Sequence, residues 1–222
     1  VGEVADAPGR EFEKGAVVAT CMGGMGRLFD GSYAEYTSVP ASQVQVVKTK
    51  LSWDLLGALP EMMQTAWGSL YKSLQLKKDD TLLIRGGTTS IGLAAVALAK
   101  GNCASIGVTT RRSERVEGLK ANGADDVFID NGSISEEVRK RRPEGYSKVL
   151  ELVGVTVIGD SLKCVKEQGT LCLTGIAGGK VRPFFSLSLP HGATRTKVFF
   201  FLSFSSLNSV LASMAKVAGN AS

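Results

Sequence analysis

Arg85-Gly86-Gly87-Thr88-Thr89-Ser90-Ile91-Gly92 follows the apolar run Thr81-Leu82-Leu83-Ile84 and opens an Ala- and Leu-rich stretch that closes at Lys100. A short, unbroken apolar run bounded by glycine reads as a strand buried on both faces, and the stretch after the glycines as a helix over 91–100. A glycine-rich turn from strand to helix gathers backbone N–H donors at the positive end of a helix dipole. A dinucleotide pyrophosphate needs that arrangement. Gly86 and Gly87 allow the tight turn, and Gly92 lets the helix pack closely on the sheet. The strict pattern G-x-G-x-x-G is not met, because its middle position is Thr89. The hydroxyls of Thr88, Thr89 and Ser90 are expected to donate to phosphate in its place.

Downstream the same rhythm repeats. Strands are predicted over 104–109, 126–129, 148–152 and 171–174. Helices are predicted over 113–121, 135–141 and 157–166, the last stopped by Gly169. Apolar strands alternating with amphipathic helices imply a doubly wound parallel sheet covered on both faces, the α/β class. Upstream, Ser52 can cap a short helix through residue 58, and Pro60 suits the first turn of a second. Residues 1–50 differ in rhythm: short β-type runs over 1–4, 16–19, 32–37 and 43–47, separated by glycine turns, suggest a small all-β unit. It starts in what reads as the middle of a strand. The expected division is therefore 1–50, 51–182 and a divergent tail over 183–222. That tail offers one more strand over 198–202 and a closing helix over 207–217.

The strand over 104–109 ends where a dinucleotide fold places its ribose-binding residue, ~20 residues beyond the glycines. A protein that prefers NAD puts Asp or Glu there. Here the tip reads Thr109-Thr110-Arg111-Arg112-Ser113. No carboxylate stands at the tip to repel a 2′-phosphate, and two guanidinium groups are available to bind one, so NADPH is expected over NADH. Short-chain dehydrogenase chemistry needs Tyr-x-x-x-Lys, and none of Tyr33, Tyr36, Tyr71 and Tyr146 has Lys four positions later.

Composition narrows the remaining classes. The 222 residues are 44% hydrophobic and 21% charged, an ordinary globular balance, with a formal net charge of +5. The one basic cluster, Arg139-Lys140-Arg141-Arg142, reads as a solvated helix end rather than a nucleic-acid patch. No pair of the four cysteines has Cys-x-x-Cys spacing, and His191 is the single histidine. No metal site is expected, therefore, and reduced thiols in a cytoplasmic protein are. No run is long enough to span a membrane, and no signal peptide is read.

In combination these segments resemble the medium-chain dehydrogenase/reductase superfamily, and most closely its zinc-free quinone oxidoreductases, the zeta-crystallin branch. Asp30-Gly31-Ser32-Tyr33-Ala34-Glu35-Tyr36 resembles the strand that ends the family's GroES-like barrel. Ala58-Leu59-Pro60 and Thr65-Ala66-Trp67 resemble its connecting helices, residues 85–100 its phosphate turn, and Gly123-Ala124-Asp125 the approach to its third Rossmann strand. The resemblance covers residues 1–182 and implies a Rossmann-type domain preceded by a partial GroES-like β-barrel. It implies hydride transfer from NADPH to a small electrophilic acceptor, a quinone or an α,β-unsaturated carbonyl. Gly87, Thr88, Thr89, Ser90 and Ile91 would meet the pyrophosphate, and Thr110, Arg111 and Arg112 the adenosine 2′-phosphate. Val153, Gly154, Gly175 and Ile176 would lie by the nicotinamide-side ribose, and Thr65 by the nicotinamide. No acid, base or metal is implied. Against the family pattern, the chain reads as truncated at both ends. That leaves a second expectation: a non-catalytic NADPH-binding module acting through protein or RNA contacts. The uncharged run Val198-Phe199-Phe200-Phe201-Leu202 is read either as a buried sixth strand or as a homodimer interface.

Overall fold

The computed structural model describes residues 1–175 and 197–200, and it divides into two compact units at Thr65/Ala66. The first unit holds a three-stranded antiparallel sheet in the order β1 (Gly2–Glu3), β2 (Val17–Ala19), β3 (Gln45–Val46). The strand expected over 32–37 is absent: Tyr33 and Tyr36 are fully exposed and these residues join no ladder. Alternating β-formers make a strand only where a neighbouring edge takes up their N–H and C=O groups.

Helix α1 (Trp53–Trp67) replaces the two helices expected around Pro60, which lies inside it. Proline removes one helical hydrogen bond. The cost is offset because Leu56, Pro60, Met63 and Ala66 are all buried, a stripe at helical spacing whose burial holds both halves on one axis. The helix then widens into a π-helical turn (Gly68–Ser73), closed by Leu74 N–H donating to Ser69 O at 2.9 Å.

The second unit is a six-stranded sheet. Its strands are β4 (Thr81–Arg85), β5 (Ser105–Thr110), β6 (Asp126–Ile129), β7 (Tyr146–Glu151), β8 (Val165–Leu173) and β9 (Lys197–Phe200). They lie in the order β6-β5-β4-β7-β8-β9, and every pairing is parallel. The connections carry α2 (Ser90–Ala99), α3 (Val116–Asn122), α4 (Ser135–Arg141) and α5 (Ile158–Lys163). This order is the doubly wound one: the chain winds outward from β4 to β6, returns, and winds the other way from β7. The reversal leaves a switch point between β4 and β7, where the last residues of the two strands, Arg85 and Glu151, pair directly. Leu82, Leu83, Ile84, Val108, Val149, Leu150 and Leu171 are fully buried, as an apolar sheet covered on both faces requires.

Two readings of detail change. Helix α5 ends at Lys163, not at Gly169, and Gly169 lies within β8. There the register jumps from Tyr146↔Val165 to Lys148↔Thr170, with Gln168 at φ 60. A Cβ at Gly169 would stand 2.9 Å from Ser147 O, so glycine serves this excursion instead of stopping a helix. The basic run at the end of α4 is solvated at Lys140 and Arg141, and much of it is also tied to the chain. Arg139 donates to the carbonyls of Pro143, Lys163 and Val165, Arg142 to Asp126, and the Arg141 guanidinium lies 4.8 Å from the Phe128 ring centroid. The strand β9 continues the sheet beside β8, with Val198 packed on the core. The helix expected over 207–217 lies outside the described residues.

Candidate cofactor site

All six parallel strands point their carboxyl ends to one edge, and the segments singled out by sequence in the second unit gather along it. The turn after β4 is shaped by three glycines. Gly86 adopts φ +96, and its amide donates to Thr109 Oγ1 at 2.9 Å. A Cβ at Gly87 would stand 2.8 Å from Val108 Cβ, and one at Gly92 only 2.4 Å from Gly86 O. The helix can therefore begin against the sheet only with glycine at that place. The amides of Thr88, Ser90 and Ile91 have no acceptor among the described residues, so three donors at the start of α2 are free to meet an anion.

Thr89 is engaged within the turn itself. It is the N-cap of α2: its Oγ1 accepts from Gly92 N–H at 2.9 Å and donates to Gly86 O at 2.8 Å. Its one hydroxyl proton is thereby committed within the turn. Thr88 and Ser90 keep hydroxyls uncommitted among the described residues. Thr89→Ala is expected to lower stability by about 1 kcal/mol, as for other lost caps, measured by urea denaturation.

At the tip of β5, Thr110 is buried and its hydroxyl is tied to the backbone of Arg112, accepting from the amide at 3.1 Å and donating to the carbonyl at 3.2 Å. This small loop turns Arg111 and Arg112 outward. Both are exposed, and neither makes an ion pair among the described residues. Past β7, Gly154 adopts φ +126, and both its amide and that of Val153 donate to Glu151 Oε1, at 3.0 and 2.7 Å. Beyond β8, Thr174 and Gly175 both donate to Glu151 O at 2.9 Å, and a Cβ on Gly175 would collide with the Leu152 backbone. Ile176 lies outside the described residues. Thr65 belongs to the other unit, buried in α1 with its hydroxyl donating to Glu61 at 3.3 Å.

Beneath this edge lies a charged network that no sequence motif announced. Arg85 is fully buried at the end of β4. Its Nε and Nη2 grip the two oxygens of Asp130 at 2.8 and 2.9 Å. Its Nη1 donates to Asp160 at 2.8 Å, to Ser161 Oγ at 3.0 Å and to Val157 O at 3.2 Å, and Nη2 also reaches Gly132 O at 3.1 Å. Ser161 in turn donates to Glu151 Oε2. Burial by itself would lift the carboxyls of Asp130 and Asp160. The Arg85 guanidinium and the Gly132 amide at Asp130, and Ser135, Ile134, Ser133 and Arg85 at Asp160, outweigh it and hold both below their ordinary value. Glu151 goes the other way, lifted by burial, which its hydrogen bonds from Ser161, Gly154 and Val153 only partly oppose.

A depression of about 370 Å³ lies elsewhere in this unit, between Lys100, Gly101, Cys103, Lys120 and Asp125 at the amino edge of β5 and β6. At the carboxyl edge the fit to a dinucleotide rests on the glycine contacts and the free amides.

Comparison with known proteins agrees with this layout. The profile of the family described as zinc-binding dehydrogenase matches residues 90–216. The quinone oxidoreductase of Lama guanicoe is 26% identical, over 75% of this chain and 50% of its own. The acryloyl-coenzyme A reductase of Metallosphaera sedula is 29% identical, over 78% and 49%. The chain thus spans about half the length of the curated relatives it matches. Among solved structures, a quinone oxidoreductase of Pseudomonas syringae superposes with a TM-score of 0.85 at 20% identity, covering 98% of this chain and 67% of that one. A mycobacterial protein solved with NADPH gives 0.82 at 23%, covering 98% and 68%. Zinc, which the family's description implies, takes about four clustered Cys, His or carboxylate donors. Among the described residues no three His, Cys, Asp or Glu side chains come together to hold a metal ion. With the profile covering more than half of its length, the chain belongs to the zinc-binding dehydrogenase family, as a quinone oxidoreductase-like member of the medium-chain dehydrogenase/reductase superfamily.

Proposed function

We propose that this chain holds NADPH along the carboxyl edge of its parallel sheet and belongs to a zinc-independent reductase of quinones or α,β-unsaturated carbonyls. One observation carries the reading. Three amides that are unpartnered among the described residues, at a glycine-shaped helix start, stand one strand away from a tip that, among those residues, offers two unpaired guanidinium groups and no free carboxylate over 109–113. Asp130, whose amide bonds that tip at Thr110 O, is already gripped by Arg85. The names of the relatives, a quinone oxidoreductase and an acryloyl-coenzyme A reductase, support the acceptor class.

NADPH supplies the hydride, so the protein's task is to bind, orient and screen. In this reading the amides of Thr88, Ser90 and Ile91, beside Gly87, take the pyrophosphate, with Thr89 fixing the turn from within. Arg111 and Arg112, presented by Thr110, neutralise the 2′-phosphate. Val153, Gly154, Gly175 and Ile176 bound the nicotinamide-side ribose. Titration with NADPH and NADH by cofactor fluorescence tests binding, and NADPH oxidation with a simple quinone tests turnover. We expect NADPH to bind at least about tenfold more tightly than NADH. Binding without oxidation by any quinone or enone would leave a dinucleotide-binding module and overturn the reductase.

A further inference from the structure

The dinucleotide reading has two ends, an adenosine end at the tip of β5 and a nicotinamide end at the turn after β7. They lie on opposite sides of the switch point. The buried Arg85 network joins them. On one side Arg85 holds Asp130 with two parallel hydrogen bonds. Asp130 donates its amide to Thr110 O at 2.7 Å and accepts from Thr109 Oγ1 at 3.5 Å, so it is fastened to the tip that presents Arg111 and Arg112. On the other side the direction of donation is fixed by chemistry. A guanidinium only donates, so Ser161 Oγ accepts from Arg85 and spends its single proton on Glu151. Glu151 then accepts the amides of Val153 and Gly154. Every link from one half-site to the other is a hydrogen bond between groups that are buried or nearly so.

We propose that Arg85 is a positioning residue for the dinucleotide: through Asp130, and through Ser161 and Glu151, it fixes the spacing between the strand tip at Thr110 and the turn at Val153-Gly154. This rests on the dinucleotide reading above. Arg85 touches no part of the ligand in this scheme. It sets the distance that the two ends of one molecule must span, so its contribution appears only when a ligand occupies both ends.

Ser161→Ala cuts the relay on the nicotinamide side alone and removes only one buried hydroxyl. The whole chain carrying it is titrated with NADPH, which spans both ends, and with adenosine 2′,5′-bisphosphate, which fills only one. Folding is checked by its melting curve. We expect NADPH affinity to fall about tenfold, the worth of one lost hydrogen bond to a charged group, while bisphosphate affinity stays within about twofold. A general loosening of the fold would weaken both ligands together, and an equal loss for the two would overturn the proposal. If the alanine variant does not fold, Glu151→Gln is read by the same ratio. It keeps an oxygen for the Val153 and Gly154 amides but takes away the acceptor for the Ser161 proton, and a ratio equal to the wild type overturns the proposal equally. Failure of the unmutated chain to bind either ligand is the separate result that would sink the dinucleotide reading itself.

Discussion

Arg85→Met is expected to cost about 3–5 kcal/mol of folding stability at neutral pH, because it strands the buried carboxylate of Asp130 and takes the cation from the part-buried Asp160. Methionine fills much of the volume of the arginine stem, so the loss is electrostatic in origin. Asp130 and Asp160 are only 8% and 13% exposed in their side chains, and each relies on the Arg85 cation. The dependence on pH identifies the cause. In the native chain both carboxyls lie below their ordinary value of 3.8, so their contribution is complete above that pH and is lost as pH falls through the folded values. Without Arg85, Asp130 loses the strongest group that opposes its burial and its folded-state value rises, while Asp160 rises less because Ser135, Ile134 and Ser133 still hold it. Protonation on mild acidification then relieves the variant while the native chain still holds its full contribution. Glu151, already lifted by burial, loses the opposing pull of Arg85 and shifts the variant further in the same direction. Urea denaturation of both proteins at about pH 7 and about pH 5 should therefore show the stability gap narrowing with acid. A gap of equal size at both would mean that lost packing, and not stranded charge, is what the substitution costs.

The same residue marks the limit of what could be read in the sequence. The parallel sheet was legible because its strands are unbroken apolar runs, such as Leu82-Leu83-Ile84, that no surface strand would carry. The glycine turn was legible because Gly86, Gly87 and Gly92 each meet backbone or a neighbouring strand where a Cβ would stand. Arg85 reads in sequence as a polar strand end, since its partners Asp130 and Asp160 lie 45 and 75 residues away and become neighbours only when β6, β7 and α5 assemble. The one local signal was an arginine closing an otherwise buried strand, with acids placed just after β6 and within α5. Thr89 shows the converse limit. Its hydroxyl could serve either a phosphate or the first turn of its own helix, and local geometry gives it to the helix. The segment 32–37 and Pro60 were misread for a shared reason. Propensity describes a residue by itself, whereas a strand needs an edge to join and a helix can carry a proline where its buried stripe is continuous.

Replacing Arg111 and Arg112 together by alanine is expected to weaken NADPH binding about 30- to 100-fold and NADH binding by less than about threefold. Two charge-assisted contacts to a phosphate are lost in the first case and none in the second. The pair suits this test because it does nothing else among the described residues: both side chains are exposed and neither joins an ion pair. The fold should therefore keep its stability within about 0.5 kcal/mol, and the loss can be assigned to the ligand. Thr110 stays in place in the variant, because it bonds the Arg112 backbone and not its side chain. Salt supplies an independent reading. Exposed cations acting on a phosphate are screened within about 8–10 Å at ordinary ionic strength, so NADPH binding by the native chain should weaken with added salt much more steeply than binding by the double variant. Equal losses for NADPH and NADH would show that the tip of β5 does not distinguish the two, and the preference for NADPH would then have to arise elsewhere on the same edge.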